Sequence, residues 1–218
     1  MKDIKNTLVH ILALCLVPVM LCLASCGMTL KEIGSSQAQD KDSGKIWKHA
    51  STCYEAIELG DKVGKLQVNN KQSYELCEIV DMDAQCWLAT EEKHILYTSD
   101  VTLPTLDQMQ PTSMLICVEN ETSRVIHNMQ DAQKLSALVA AFTQNGSITY
   151  PATSVERSYR VRFTSPTYPG IYYSLTYIEY AYDYTIEDKN YGKYFLYNAF
   201  DQVFVPVGDE IHTALGLE

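Results

Sequence analysis

Hydrophobic and polar positions divide the chain into segments with different periods. Leu8 to Leu23 is almost wholly apolar, whereas Gly27 to about Lys45 reads GMTLKEIGSSQAQDKDSGK, rich in Ser, Gln, Asp, Lys and Gly and without a sustained apolar period. That polar stretch predicts a disordered tether, with a short frayed helix over Met28 to Ile33 as the alternative. From Tyr54 to Val118 short β-type runs alternate with turn residues: Tyr54 to Leu59, Ser73 to Val80, Gln85 to Thr90, His94 to Thr98 and Met114 to Val118. Asp81-Met82-Asp83 and Glu91-Glu92-Lys93 separate neighbouring runs at hairpin spacing. Leu135, Leu138, Val139 and Phe142 then recur at helical spacing, with Asn128 placed to cap the start and Asn145-Gly146 to end it. Ser158 to Thr164, Ile171 to Tyr180, Tyr191 to Tyr197 and Gln202 to Val207 read as strands, and Asp209 to Leu215 as a closing helical turn. The predicted fold class is α+β and strand-dominated: an antiparallel meander or small barrel, followed by a helix and a Tyr-rich antiparallel sheet. Its β-rich half spans 47–120 and its α+β half 121–218, and the two halves are long enough to share one core.

The N-terminal run is about sixteen residues and contains Pro18, short of the roughly twenty apolar residues that a spanning helix needs. Preceded by Lys2 and Lys5, it has the layout of a secretory signal. Directly after it, Leu23, Ala24, Ser25 and Cys26 resemble the lipobox of bacterial lipoprotein precursors, a Leu, two small residues and a Cys. The resemblance implies that residues 1–25 are a lipoprotein signal peptide cut between Ser25 and Cys26. It also implies a diacylglyceryl group on the Cys26 sulfur, and a tether over 26–46. The expected partner of Cys26 is therefore a membrane, and the expected location is its extracytoplasmic face. The order of tether, β-rich part, helix and Tyr-rich strands resembles small Gram-positive lipoproteins of no assigned activity, with no motif to transfer.

Charge narrows the possible partners. The chain carries a formal net charge of -10, and removal of residues 1–25 takes away two Lys and one Asp, leaving -11. Sequence-independent nucleic-acid affinity needs clustered Lys and Arg, so no nucleic-acid partner is expected. Gly60-Asp61-Lys62-Val63-Gly64-Lys65-Leu66 suggests a phosphate-binding loop but has three residues between its glycines where that loop needs four, and Leu66 where it needs Ser or Thr. A plain turn is the expectation there.

Cys53, Cys77, Cys86 and Cys117, with His94, His127 and His212, show no zinc-ligand spacing, so no metal and no cofactor are predicted and buried thiols or disulfides are the better reading. For Cys77 and Cys86 two hairpin registers stay open. A two-residue turn pairs residues whose numbers sum to 163 and sets the thiols opposite each other. A four-residue turn makes the sum 165 and leaves them diagonal and free. The second is favoured, because Asp81 to Ala84 contain no Gly or Asn to supply positive φ.

Twelve of the fifteen Tyr lie between Tyr150 and Tyr197. Period two puts Ile171, Tyr173, Leu175 and Tyr177 on one face, read as core, and Tyr180, Tyr182 and Tyr184 on the other. Exposed, that second set would be an aromatic binding face; the alternative is that Tyr is simply a good half-buried strand residue. Two function classes follow. The first is a non-catalytic binding or accessory module of the cell envelope, with a protein, peptide or glycan as partner. The second is an exported hydrolase whose site draws on scattered carboxylates such as Asp183, Glu187 and Asp188.

Overall fold

A computed structural model of the chain describes residues 27–69, 71–119, 123–148 and 154–217. Seven short strands close a barrel: β1 (Met28–Glu32), β2 (Gln37–Asp40), β3 (Ile46–His49), β5 (Leu59–Gln67), β6 (Ser73–Ile79), β7 (Trp87–Thr90) and β8 (Ile95–Thr98). Around the barrel they run β1-β2-β3-β8-β7-β6-β5, antiparallel except at the closing seam, where β1 pairs with β5 in parallel. The barrel interior takes one buried apolar residue from each strand: Leu30, Ala38, Trp47, Leu66, Leu76, Leu88 and Leu96.

The second layer is a sheet in the order β10 (Ser123–Met129), β9 (Ser113–Glu119), β11 (Val155–Thr164), β12 (Ile171–Tyr180), β15 (Tyr194–Asn198) and β16 (Val203–Pro206). The three-residue β4 (Tyr54–Ala56) pairs with β12. Helices α1 (Leu106–Met109), α2 (Ala132–Gln144) and α3 (Glu210–Ala214) complete the fold, and β13 (Thr185–Ile186) and β14 (Lys189–Asn190) form a separate hairpin.

The two layers share a core. Strands β7 and β8 are buried on both faces: Leu88 and Leu96 point into the barrel, while Trp87, Ala89 and Ile95 join Phe163, Tyr173 and Leu175 of the sheet and Leu135 and Leu138 of α2. Burying each large side chain of this kind contributes about 1.5–3 kcal/mol. The predicted apolar stripe of α2 is present, with Leu135 and Leu138 buried and Val139 and Phe142 packed beside them. Its N-cap is Asp131, whose carboxylate accepts from the N–H groups of Gln133 and Lys134, and Asn128 lies in β10. A carboxylate at that position also matches the helix dipole.

Three expectations are corrected. The stretch 27–45 is not a tether: it holds β1 and β2, and Leu30 and Ala38 are fully buried. Gly60 to Leu66 is not a turn but the body of β5, which carries two register shifts that bend it around the barrel. Finally, β6 and β7 pair in neither predicted register, because Cys77 stands opposite Ala89, a sum of 166. Asp81 supplies the positive φ, at 64°, that Gly or Asn was required to supply, and Cys86 lies in the turn before β7. Cys53, Cys77, Cys86 and Cys117, the cysteines among the described residues, are free thiols. Mass spectrometry of the unreduced, denatured and alkylated protein is expected to find Cys53, Cys77, Cys86 and Cys117 each alkylated; a cross-linked pair among them would contradict this packing.

Candidate binding site

Strand β4 stitches the layers together. Glu55 at its centre pairs with Tyr172 of β12 and makes an isolated antiparallel bridge to His94 at the head of β8. Period-two alternation sends Val161 and Phe163 of β11 into the core and Arg160 and Arg162 to the opposite face, where both reach Glu55. Arg160 Nη2 donates to Glu55 Oε1 at 2.5 Å and to the Thr52 carbonyl at 3.4 Å, and Arg162 Nε donates to Glu55 Oε2 at 2.9 Å. Burial works to raise the Glu55 pKa, but the hydrogen bond and charge of Arg160 and the charge of Arg162 outweigh it and hold the carboxyl below its ordinary range.

The two arginines differ in what they have left to offer. Arg162 is spent: its remaining nitrogens reach Ser123 Oγ at 2.8 Å, Cys117 Sγ at 3.6 Å and Glu119 at 3.4 Å, and its guanidinium lies 5.7 Å from the centre of the Tyr172 ring. Among the described residues Arg160 bonds through Nη2 alone, and its Nε is buried with no hydrogen-bond partner. A buried guanidinium nitrogen left in that state invites an acceptor.

Arg160 lines a half-open cleft of about 470 Å³ between barrel and sheet, whose other polar walls include Glu55, Lys93, His49 and His94. A second hollow of about 230 Å³ adjoins it, sharing His49, Glu92 and His94 and adding Glu32 and Tyr74. The groove is electrically lopsided: Lys93, Arg160 and Arg162 stand in the first hollow, whereas the second is lined by Glu32 and Glu92 without Lys or Arg. His49 sits between the two. Its Nε2 is buried and 3.7 Å from Glu32, too far for a hydrogen bond. Burial holds its pKa below the usual value, against the pull of Glu32. Volume and convergent polar groups suit a small ligand.

The predicted aromatic face does not form. Tyr180 is fully buried in a cluster with Phe195 and Phe204, Tyr184 is half-buried with its ring 6.5 Å from that of Phe195, and Tyr182 alone is exposed, at 75%. The strand ends at Tyr180, so period two does not carry through to Tyr184. Asp183, Glu187 and Asp188 are exposed. Glu187 and Asp188, at φ 48° and 64°, are the two central residues of the β13–β14 turn, which demands positive φ at both. These carboxylates line none of the cavities described above.

His94 is in the groove with His49, whereas His127 is on edge strand β10 and His212 on α3. No group of three His, Cys, Asp or Glu among the described residues is placed to hold a metal ion. The Cys53 thiol donates to Asn198 Oδ1 at 3.0 Å in a buried contact, and burial raises its pKa. Cys26 lies outside the described residues.

One more ionic cluster is interior. Glu179 of β12, with 0% exposure, meets Arg157 at 3.0 Å, His212 Nδ1 at 3.1 Å and Lys193 at 3.5 Å, and accepts from the Tyr177 hydroxyl at 3.5 Å. It ties α3 to the sheet.

Sequence reasoning missed Glu55, Arg160, Arg162 and His49. The Arg-Val-Arg-Phe alternation at 160–163 signals two cations on one polar face, but nothing in the sequence pairs it with a Glu more than a hundred residues earlier. Compared with protein-family models, characterised proteins and solved structures, the chain matches none.

Proposed function

We propose that this chain is a lipid-anchored lipoprotein of the cell envelope, and that its groove between barrel and sheet is a non-catalytic binding site for a small polar ligand. The membrane half of the reading rests on the lipobox at Leu23 to Cys26. Two acyl chains, each gaining about 0.8 kcal/mol per buried methylene, hold a protein on a bilayer without a spanning helix. The binding half rests above all on Arg160, which lines a half-open cleft and whose Nε has no partner among the described residues. A hydrolase reading lacks comparable support, because of the carboxylates that suggested it Glu187 and Asp188 are turn residues and Asp183 is exposed outside the groove.

Both halves are testable. Metabolic labelling with a fatty-acid analogue is expected to mark the wild type and leave Cys26→Ala unmarked and uncut; equal label on both would end the lipoprotein reading. For the groove, purified protein incubated with envelope extract is expected to retain a small molecule, read by mass spectrometry, that the cleft-filling variant Thr52→Trp does not retain. Identical retention by both would remove the groove from consideration.

A further inference from the structure

We infer that the barrel is seated directly on the bilayer that holds its lipid anchor, with the groove opening at the barrel end that points away from that membrane. This rests on lipidation of Cys26 as proposed above. Its structural ground is the position of β1. The strand begins at Met28, two residues after Cys26, and consecutive Cα atoms are about 3.8 Å apart, so the two Cα atoms are separated by at most about 7.6 Å. Leu30, fully buried between β2 and β5, fixes that strand in the barrel wall. No slack is left for a spacer between the acylated residue and the folded domain.

The strand registers then sort the barrel into a near end and a far end. β1 leaves the anchor at Met28 and reaches Glu32 at the far end. Its antiparallel neighbour β2 returns, so the turn from Lys41 to Lys45 lies at the near end, where the Lys41 N–H donates to the Thr29 carbonyl. β5 runs parallel to β1, with Gly64 beside Met28 and Gln67 beside Lys31, so Gly60 to Val63 flank the anchor. β6 comes back antiparallel, placing Tyr74 far and Ile79 near, and β7 and β8 follow with Thr90 and Ile95 far. β3 enters near at Ile46 and ends far at His49. The polar groove residues on the barrel therefore sit at the far end: Glu32, His49, Tyr74, Thr90, Glu92 and His94. The two ends of β1 are about 13 Å apart at roughly 3.3 Å per residue.

The near end is exposed and polar: Asp42, Ser43, Asp61 and Lys62 are exposed there, with Asp81 and Asp83 in the β6–β7 turn. Such a surface does not insert into hydrocarbon. It lies in the wet headgroup layer, held there by the covalent anchor, and the groove is left free to meet a ligand arriving from outside.

The test uses the full-length, lipidated protein reconstituted in phosphatidylcholine vesicles, with mass spectrometry first confirming the acyl groups on Cys26. In a Cys86→Ala background, a thiol-reactive fluorophore is placed at a near-end position, Asp42→Cys or Asp61→Cys, or at a far-end position, Ile33→Cys or Ser35→Cys; all four wild-type residues are exposed. A spin-label quencher is carried on the lipid headgroup. Quenching at both near positions is expected to exceed that at both far positions several-fold. Equal weak quenching at all four, with the lipid confirmed, would show the barrel held off the surface and overturn the inference; stronger quenching at the far positions would invert the orientation. Absence of lipid on Cys26 would instead bring down the anchoring proposal and this inference with it.

Discussion

Gly64→Ala is expected to destabilise the protein by about 3 kcal/mol, at the upper end of what overpacking costs. An added Cβ at Gly64 would overlap the carbonyl oxygen of Met28 and stand 2.8 Å from its carbonyl carbon and 2.9 Å from its Cβ. The first two are backbone atoms of the neighbouring strand, so no rotamer change relieves the clash. β1 would have to part from β5 at the one parallel seam of the barrel, and Leu30 and Leu66, which face each other across that seam, would lose their packing. For a protein of this size the loss corresponds to a fall of about 6 to 12 °C in Tm, read by circular dichroism. Gly34→Ala is the internal control, since nothing lies within 4 Å of a Cβ there. A Gly64→Ala variant that melts with the wild type would mean that the β1–β5 seam is not closed in solution.

The same glycine marks where sequence reasoning stops. Helix α2 and strands β9, β11 and β12 are legible because each lays apolar residues at a fixed period against a broad core. β12 alone buries Ile171, Tyr173, Leu175 and Tyr177 on one face. The barrel offers no such repeat. A narrow seven-stranded barrel has room for one apolar residue per strand, so β1 shows only Leu30 inside and β2 only Ala38, with polar residues on either side of each. Read alone, that is the composition of a tether. Along β5 the two register shifts break the period altogether, which leaves Gly60 to Leu66 looking like a turn.

The candidate site was illegible for a different reason. Its residues lie on the polar face of β11, on the stitch strand β4 and at the rim of the barrel, and only the closing of both layers on the shared core brings Arg160 to Glu55. Tyr density, read in the sequence as an aromatic binding face, reports the small aromatic cluster under β12 and β15: Tyr180 meets Phe195 edge-on at 5.5 Å, and Tyr197 stacks on Phe204 at 4.5 Å.

Glu179→Gln is expected to cost about 2 to 3 kcal/mol at neutral pH, or about 4 to 12 °C in Tm. Breaking a fully buried ion pair typically costs roughly 3–5 kcal/mol, because the surviving charge stays unpaired. Here the carboxylate is fully buried, while the side chains of Arg157, Lys193 and His212 are 29%, 32% and 14% exposed and recover part of their hydration. The pH dependence separates the charge from the packing. Burial pushes the Glu179 pKa up, yet the hydrogen bond and charge of His212, with the charges of Arg157 and Lys193, outweigh it, and the carboxyl titrates below the ordinary value of 4.5. A carboxyl whose folded pKa is depressed contributes stability that is complete above its unfolded pKa and is lost as pH falls through the folded pKa. The stability gap between wild type and Glu179→Gln should therefore be present in full at about pH 5 and shrink below 4.5. Other carboxyls, Glu55 among them, titrate in both proteins and cancel in the difference. Denaturant titrations of the pair across that range decide the matter. A gap that persists undiminished in acid would assign the effect of the substitution to shape and hydrogen bonding, and would leave the ionic tie between β12 and α3 without a share in stability.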